Sequence, residues 1–183
     1  MRLKIRVRSY DLEMLGERSR EISYGELAHQ ALYFLEPLPP GYHLKELKPA
    51  LKKAIDRALA LADPRFREEF AQARDFLFRV LARALSLKEV KPFFAQGAKA
   101  LCEQEFQDEA GQLHRLDRLV FLGDELVLLE YKLGGRRRAH WEQVGLYQKV
   151  LTEIFGKRPR AYLFYLEEPA LVDVDRVHQR PLL

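Results

Sequence analysis

Three charged side chains interrupt apolar stretches in the second half of the sequence. Residues 126–129 are all apolar, and Glu130 and Lys132 follow them two positions apart. Because residues two apart in a β-strand point to the same face, this spacing would set a carboxylate beside an ammonium group. Asp117 lies within another largely apolar run, residues 116–122. A short hairpin between the two segments would bring Asp117 close to Glu130.

Two carboxylates at close range favour the binding of a cation. Their mutual repulsion would raise the pKa of one of them unless a divalent ion neutralised the pair. Oxygen ligands select hard ions such as Mg²⁺ or Mn²⁺, and Mg²⁺ commonly acts on phosphate groups. Lys132 would then stabilise an attacking hydroxide or the charge that grows on a phosphoryl oxygen. The alternative for the same three residues is an exposed ion pair at the end of a strand.

The elements that must position these residues follow an α/β pattern. Apolar periodicity predicts a series of strands and one long helix after residue 100. The run of residues 126–132 is nearly continuous, which is typical of a central strand covered on both faces, and the last strand is expected to return beside it. A mixed sheet packed against helices follows. The predicted strands are residues 101–107, 114–122, 126–132 and 160–166, and the predicted helix is residues 139–155.

The first half of the chain is predicted to be mainly helical. Residues 1–8 alternate between charged and apolar side chains, which indicates a strand and not a signal peptide. Three helices are expected to follow this strand. They are residues 24–35, a helix that has Pro49 in its first turn and runs to Leu61, and a helix capped by Asp63 and Pro64.

Composition limits the classes of protein that remain. The chain has 183 residues, 48% of them hydrophobic, which suits a single domain with a sizeable core. Residues 1–90 would form its mainly helical part and residues 91–183 its α/β part. The 31 Lys and Arg against 27 Asp and Glu give a formal net charge of +4, which is compatible with a nucleic-acid partner. A single cysteine, Cys102, excludes an intrachain disulfide, a Cys-ligated zinc site and an iron–sulfur cluster.

Several other classes lack their sequence signals. No stretch approaches the roughly 18 uncharged apolar residues of a membrane span, so no membrane association is expected and the predicted location is the cytoplasm. The sequence has no Gly-x-x-x-x-Gly-Lys-Ser/Thr motif, which argues against ATP hydrolysis. It also has no His-Glu-x-x-His or Gly-x-Ser-x-Gly motif, which argues against a zinc peptidase or a serine hydrolase.

Further motifs flank the three charged residues in a fixed order. The pieces, in chain order, are a Gly-x-x-x-His segment at residues 25–29, Glu103, Asp117, Glu130-Tyr131-Lys132, and a Gln-x-x-x-Tyr pair formed by Gln143 and Tyr147. This order resembles the PD-(D/E)xK nuclease superfamily, in particular its RecB/AddAB-like branch. The resemblance spans residues 20–175. It implies a restriction-endonuclease-like core, with a mixed central sheet flanked by helices, plus an N-terminal helical region.

The resemblance implies a metal-dependent deoxyribonuclease that hydrolyses phosphodiester bonds. In that family, His29, Asp117 and Glu130 would hold Mg²⁺ or Mn²⁺, and the Tyr131 carbonyl would be a further ligand. Lys132 would be the catalytic lysine. Some relatives carry four cysteines that hold an iron–sulfur cluster, and this chain lacks them.

The remaining motif residues would support the site. By the resemblance, Gln143 and Tyr147 would orient it or contact the DNA backbone. Glu103 would be a supporting carboxylate, with Glu105 as the alternative because both have the same strand parity. The chain departs from the usual pattern at His114, where the family often has Gly.

The loop after Lys132 bears on the substrate. Arg136, Arg137 and Arg138 could bind phosphates, or they could form a solvated basic loop. His140 and Trp141 could stack on an unpaired base, or Trp141 could pack in the core. The resemblance implies single-stranded DNA ends in recombination and repair as substrate, with a helicase as partner or fusion. The alternative function is a catalytically silent, DNA-binding scaffold of the same fold.

Overall fold

The computed structural model describes residues 24–62, 68–107 and 111–177. The strand predicted over residues 1–8 and the helix cap predicted at Asp63 and Pro64 lie outside these ranges. Within these ranges the larger helices of the first half precede the sheet. In chain order the elements are α1 (Tyr24–Phe34), α2 (Leu44–Leu61), α3 (Phe70–Leu85), α4 (Lys91–Phe94), β1 (Lys99–Gln107), β2 (Leu113–Leu122), β3 (Glu125–Lys132), α5 (Arg138–Phe155), β4 (Arg160–Tyr165), β5 (Ala170–Asp173) and α6 (Val174–Val177).

The strands form a five-stranded mixed sheet in the order β1-β2-β3-β4-β5. Strands β3 and β4 run parallel, whereas the other neighbouring pairs are antiparallel. A parallel pair needs a crossover connection, and α5 supplies it. The mixed sheet with flanking helices confirms the predicted fold class, and β4 lies beside β3 as expected.

Strand β3 is buried on both faces, as expected of a central strand. Val127, Leu129 and Tyr131 pack in the core formed with α1–α4, whereas the side chains between them pack in the core formed with α5. This alternation follows from the pleat of the strand. It directs the charged residues that follow, Glu130 and Lys132, towards the α5 side of the sheet.

Helix α2 begins earlier than predicted. Its first residue is Leu44, and the cap is formed by His43, whose backbone N–H donates to the Glu46 carboxylate at 2.9 Å. Pro49 therefore lies in the second turn, where the missing N–H removes one helical hydrogen bond. The prediction that Pro49 lies in the first turn is wrong, because the capping box at His43 and Glu46 fixes the start of the helix.

Two short elements, β5 and α6, could not be predicted from the apolar periodicity. Strand β5 and helix α6 span four residues each, which is too few for a periodicity to be recognised. Within the described ranges, none of the helices combines the length and the apolar character that crossing a bilayer requires.

Candidate functional site

Strands β2 and β3 separate at Asp117. Their ladder ends at the pair formed by Arg118 and Leu129. Beyond this pair, the Asp117 side chain replaces the backbone as the hydrogen-bond acceptor, because its Oδ2 accepts the backbone N–H of Tyr131 at 2.6 Å. The strands therefore open where Asp117 and Glu130 would otherwise pair.

On the other side of β2, Glu103 has a strained backbone. The residues before and after it pair with β2, but Glu103 itself has a φ of 53°. The left-handed region costs a non-glycine residue about 1–2 kcal/mol, and such strain concentrates at functional sites. Arg115 balances the charge of Glu103, with its Nε 2.8 Å from Glu103 Oε2.

His29, Glu103 and Asp117 form a compact cluster. Each offers one nitrogen or carboxylate oxygen, and these three atoms lie within 4.8 Å of one another. His29 Nδ1 lies 3.0 Å from Asp117 Oδ1, and the His29 ring meets the Tyr131 ring edge-on with centroids 5.6 Å apart. In the described part of the chain, Glu105 does not belong to this cluster. The geometry therefore favours Glu103 of the two alternatives.

A chain of hydrogen bonds connects Glu130 to α5. Lys132 Nζ donates to Glu130 Oε1 at 3.0 Å and to Gln143 Oε1 at 2.9 Å. The Gln143 amide donates to the Tyr147 hydroxyl at 2.9 Å, and that hydroxyl donates to the Arg115 carbonyl at 3.1 Å. Because Gln143 and Tyr147 lie one helical turn apart, one face of α5 fixes the Lys132 ammonium.

Burial and neighbouring charges shift the pKa values of Glu130, Glu103 and His29. Burial raises the pKa of Glu130 to about 8, together with the charge of Asp117 and in spite of Lys132. Burial likewise raises the pKa of Glu103, opposed by Arg115. For His29, burial disfavours the charged ring, but the hydrogen bond and the charge of Asp117 outweigh burial and raise its pKa. This concentration of negative charge is what a cation would relieve.

The donor set fits a hard divalent cation. Glu103 Oε1 and Glu130 Oε2 are buried carboxylate oxygens with no hydrogen-bond partner among the described residues. Leaving a buried acceptor unsatisfied costs about 1–3 kcal/mol, and more when it is charged. These oxygens lie on the residues of β1 and β3 that stand opposite Asp117 on either side. Carboxylate oxygens are the protein ligands that such an ion prefers.

The remaining predicted residues lie around this centre. Tyr131 brings its backbone N–H to Asp117, and its buried ring packs against His29, Phe94 and Phe164. Arg136 and Arg137 are exposed in the connection from β3 to α5, and Arg138 is exposed as the first residue of α5. They therefore lie beside the end of β3 that carries Lys132.

The comparison with known proteins agrees with this geometry. The chain matches the model of the PD-(D/E)XK nuclease superfamily over residues 5–182. The chain belongs to this superfamily. It is also similar to a solved structure, the crystal structure of protein VC1899 from Vibrio cholerae, with 16% identity and a TM-score of 0.35, over 84% of this chain and 44% of that one. The chain thus spans less than half of that protein's length, and no curated protein matched.

Nucleases of the PD-(D/E)XK superfamily use divalent metal ions, in keeping with the oxygen-rich donor set. The pattern in its name, an acid followed by acid-x-Lys, is matched here by Asp117 and by Glu130 with Lys132. The structure places Asp117 against His29 and Lys132 against Glu130. Among the described residues, Glu130 lies outside the compact cluster of His29, Glu103 and Asp117. Sequence reasoning missed Arg115, which pairs with Glu103 through its side chain and accepts from α5 through its carbonyl.

Glu130 should make the stability of the metal-free protein depend on pH. Its pKa rises from about 4.3 in an unfolded chain to about 8 in the folded chain. Between these values the folded chain binds more protons than the unfolded chain, so the free energy of unfolding falls as the pH rises. The raised pKa of His29 acts in the same direction, because its stabilising charge is lost as the pH passes its folded pKa.

We therefore expect the Tm of the wild-type protein in EDTA to fall by about 5 °C between about pH 6 and about pH 8. Glu130→Gln should remove most of this fall, leaving the part due to His29. Thermal unfolding followed by circular dichroism measures both slopes. Glu142→Gln, on the exposed surface of α5, is the matched control and should retain the wild-type slope. An unchanged slope in the Glu130 variant would mean that this carboxyl is ionised in the folded protein.

Proposed function

We propose that this protein is a metal-dependent deoxyribonuclease of the RecB/AddAB-like type. His29, Asp117, Glu130 and the Tyr131 carbonyl would hold Mg²⁺ or Mn²⁺, and Glu103 would support them. The observation that carries the proposal is the convergence of buried acids, two of them with unpartnered oxygens, beside an ammonium group that α5 holds in place. An exposed strand-end ion pair, the alternative for these residues, would need none of this burial.

The residues of the chain suit the hydrolysis of a phosphodiester. When bound, the cation supplies positive charge to the phosphoryl oxygens and lowers the pKa of a water molecule. Lys132, with a side chain 17% exposed, can donate to an oxygen on which negative charge grows. Gln143 keeps the ammonium in that place, since its amide oxygen faces Lys132 and its amide nitrogen faces Tyr147. In the reaction, the water oxygen bonds to phosphorus, one phosphorus–oxygen bond breaks, and the leaving oxygen gains a proton.

We also propose single-stranded DNA, processed from ends during recombination or repair, as the substrate. The support comes from the exposed Arg136, Arg137 and Arg138 next to the site and from the formal charge of +4. A helicase, as a partner or as a fused domain, would supply the unwound strand. This part of the proposal extends the resemblance to the RecB/AddAB-like branch.

Cleavage assays with removal of the metal ion test the proposed function. Single-stranded and duplex DNA, labelled at the 5′ or the 3′ end, would be incubated with the protein and Mg²⁺, Mn²⁺ or EDTA. We expect cleavage with either ion, faster on single strands, no cleavage in EDTA, and recovery when excess metal is restored. The two labels distinguish exonuclease from endonuclease products. DNA binding with no cleavage in either Mg²⁺ or Mn²⁺ would contradict the proposal and favour the silent scaffold.

A further inference from the structure

One of the three arginines after β3 is held in a defined place. The guanidinium of Arg136 lies over the ring of Tyr165, with its carbon 5.5 Å from the ring centroid. A guanidinium within about 6 Å of an aromatic face is attracted by the ring, so this contact orders a side chain that is otherwise exposed. Arg138 instead forms an ion pair on the helix surface, with its Nε 3.1 Å from the Glu142 carboxylate.

Tyr165 is itself fixed beside the proposed catalytic lysine. It is the last residue of β4 and pairs with Lys132 across the parallel ladder. Its hydroxyl lies 3.2 Å from His140 Nδ1, and the ring of Trp141 lies 6.4 Å away. Burial, with the charges of Lys132 and Arg137, lowers the pKa of His140, so the neutral ring can accept the hydroxyl proton.

Through these contacts, Tyr165 of β4 and His140 of α5 together support the guanidinium of Arg136 in the loop. Arg136 presents its donors to solvent next to the strand end that bears Lys132, and a planar guanidinium matches a phosphate group. Its order reduces the conformational entropy that binding would otherwise lose. We propose that Arg136 binds a backbone phosphate next to the one that is cleaved, and that Tyr165 and His140 are its positioning residues. This inference rests on the proposed nuclease function.

Steady-state cleavage of a labelled single-stranded oligonucleotide in Mn²⁺ tests the inference. We expect Arg136→Ala to raise KM about tenfold with kcat within about twofold, and to lower the salt dependence of DNA affinity by about 0.7 in the log–log slope. Arg136→Lys should fall between wild type and Arg136→Ala, and Arg138→Ala should raise KM less. Arg74→Ala removes the same charge from an exposed ion pair on α3 and should leave KM unchanged.

The role of Tyr165 requires a separate variant that keeps its ring. Tyr165→Phe loses the bond to His140 and should raise KM about threefold, but it should have no further effect when Arg136 is already Ala. A merely structural role for Tyr165 would give the same factor in both backgrounds, and this would overturn the positioning role.

Two further outcomes are decisive and distinguishable. If wild type cleaves but Arg136→Ala has the same KM as Arg74→Ala, or loses kcat instead, the inference is wrong and the nuclease function stands. If wild type does not cleave with either ion, the proposed function fails and the inference fails with it. Thermal unfolding of every variant confirms that exposed substitutions leave the fold intact.

Discussion

Asp117→Asn is expected to lower kcat/KM for DNA cleavage by about 10³-fold or more, the largest effect of a single substitution in this chain. The carboxylate lies at the centre of the cluster, bonded to His29 on one oxygen and to the backbone of Tyr131 on the other. Asparagine keeps the shape and can still accept the Tyr131 N–H, so β3 should stay in place. What is lost is the negative charge that would hold the cation.

Stability measurements separate this loss from misfolding. Without the Asp117 charge, the pKa of Glu130 should fall, because Asp117 is one of the causes that raise it. Relief of the repulsion on Glu130 and loss of the ion pair with His29 oppose each other, so the Tm of the variant in EDTA should stay close to that of wild type. Mn²⁺ should no longer raise this Tm. Isothermal titration calorimetry with Mn²⁺ gives the same comparison directly. Asp124→Asn, in the exposed turn between β2 and β3, is the matched control and should behave as wild type.

Wild-type cleavage by the Asp117 variant would contradict the proposed site. Wild-type Mn²⁺ affinity with lost cleavage would mean that Asp117 acts on the substrate and not as a ligand. Either result would reassign the cluster, since Asp117 is the acid that contacts both His29 and the backbone N–H of Tyr131.

Lys132→Met should lower kcat by about 10²–10³-fold at saturating Mn²⁺. The side chain keeps its length but loses the ammonium that Glu130 and Gln143 hold in place. Single-turnover cleavage isolates this effect from DNA binding, which should remain within a few fold of wild type. Lys149→Met, on the exposed surface of α5, is the matched control and should retain full activity.

The metal dependence of the Lys132 variant decides between two roles. Lys132 opposes the rise in the pKa of Glu130, so without the ammonium a proton competes more strongly with the metal ion for this carboxylate near neutral pH. Saturating Mn²⁺ at about pH 8.5 should remove that contribution. Full recovery of kcat under these conditions would show that Lys132 serves the metal ligands, and it would exclude direct stabilisation of the phosphoryl charge.

The central strand was predictable because a strand that is buried on both faces has a continuous apolar sequence. Residues 126–129 are apolar since both faces of β3 are covered. The cover extends over Glu130 and ends at Lys132, the partly exposed last residue of the strand. Their side-by-side contact follows from the two-residue repeat of the strand alone. The approach of Asp117 follows from the short hairpin. These inferences need only local geometry.

The choice between Glu103 and Glu105 could not be made in this way. Strand alternation treats the two as equivalent, and only the positive φ at Glu103 breaks the alternation and places it with His29. A backbone angle that a non-glycine residue adopts under strain has no sequence signature. Arg115 was missed for a related reason, although its position across the hairpin from Glu105 was a usable signal.

The connection to α5 depends on tertiary structure. Gln143 and Tyr147 could be placed on one helix face from their spacing, but their partners, Lys132 and the Arg115 carbonyl, come from two different strands. The cap of α2 shows the opposite limitation. There the signal is local, because the capping box of His43 and Glu46 lies within four residues, and the helix begins at Leu44 and not at Pro49.

The turn between β2 and β3 provides a place to attach a spectroscopic probe. Gly123 has a φ of 55°, and six residues of extended strand separate it from Asp117, which corresponds to about 20 Å. Cys102 is partly enclosed and burial raises the pKa of its thiol, so a maleimide would react first with Asp124→Cys. A nitroxide attached there would sense paramagnetic Mn²⁺ across the length of the hairpin. The label would not contact the part of the hairpin that holds the acids.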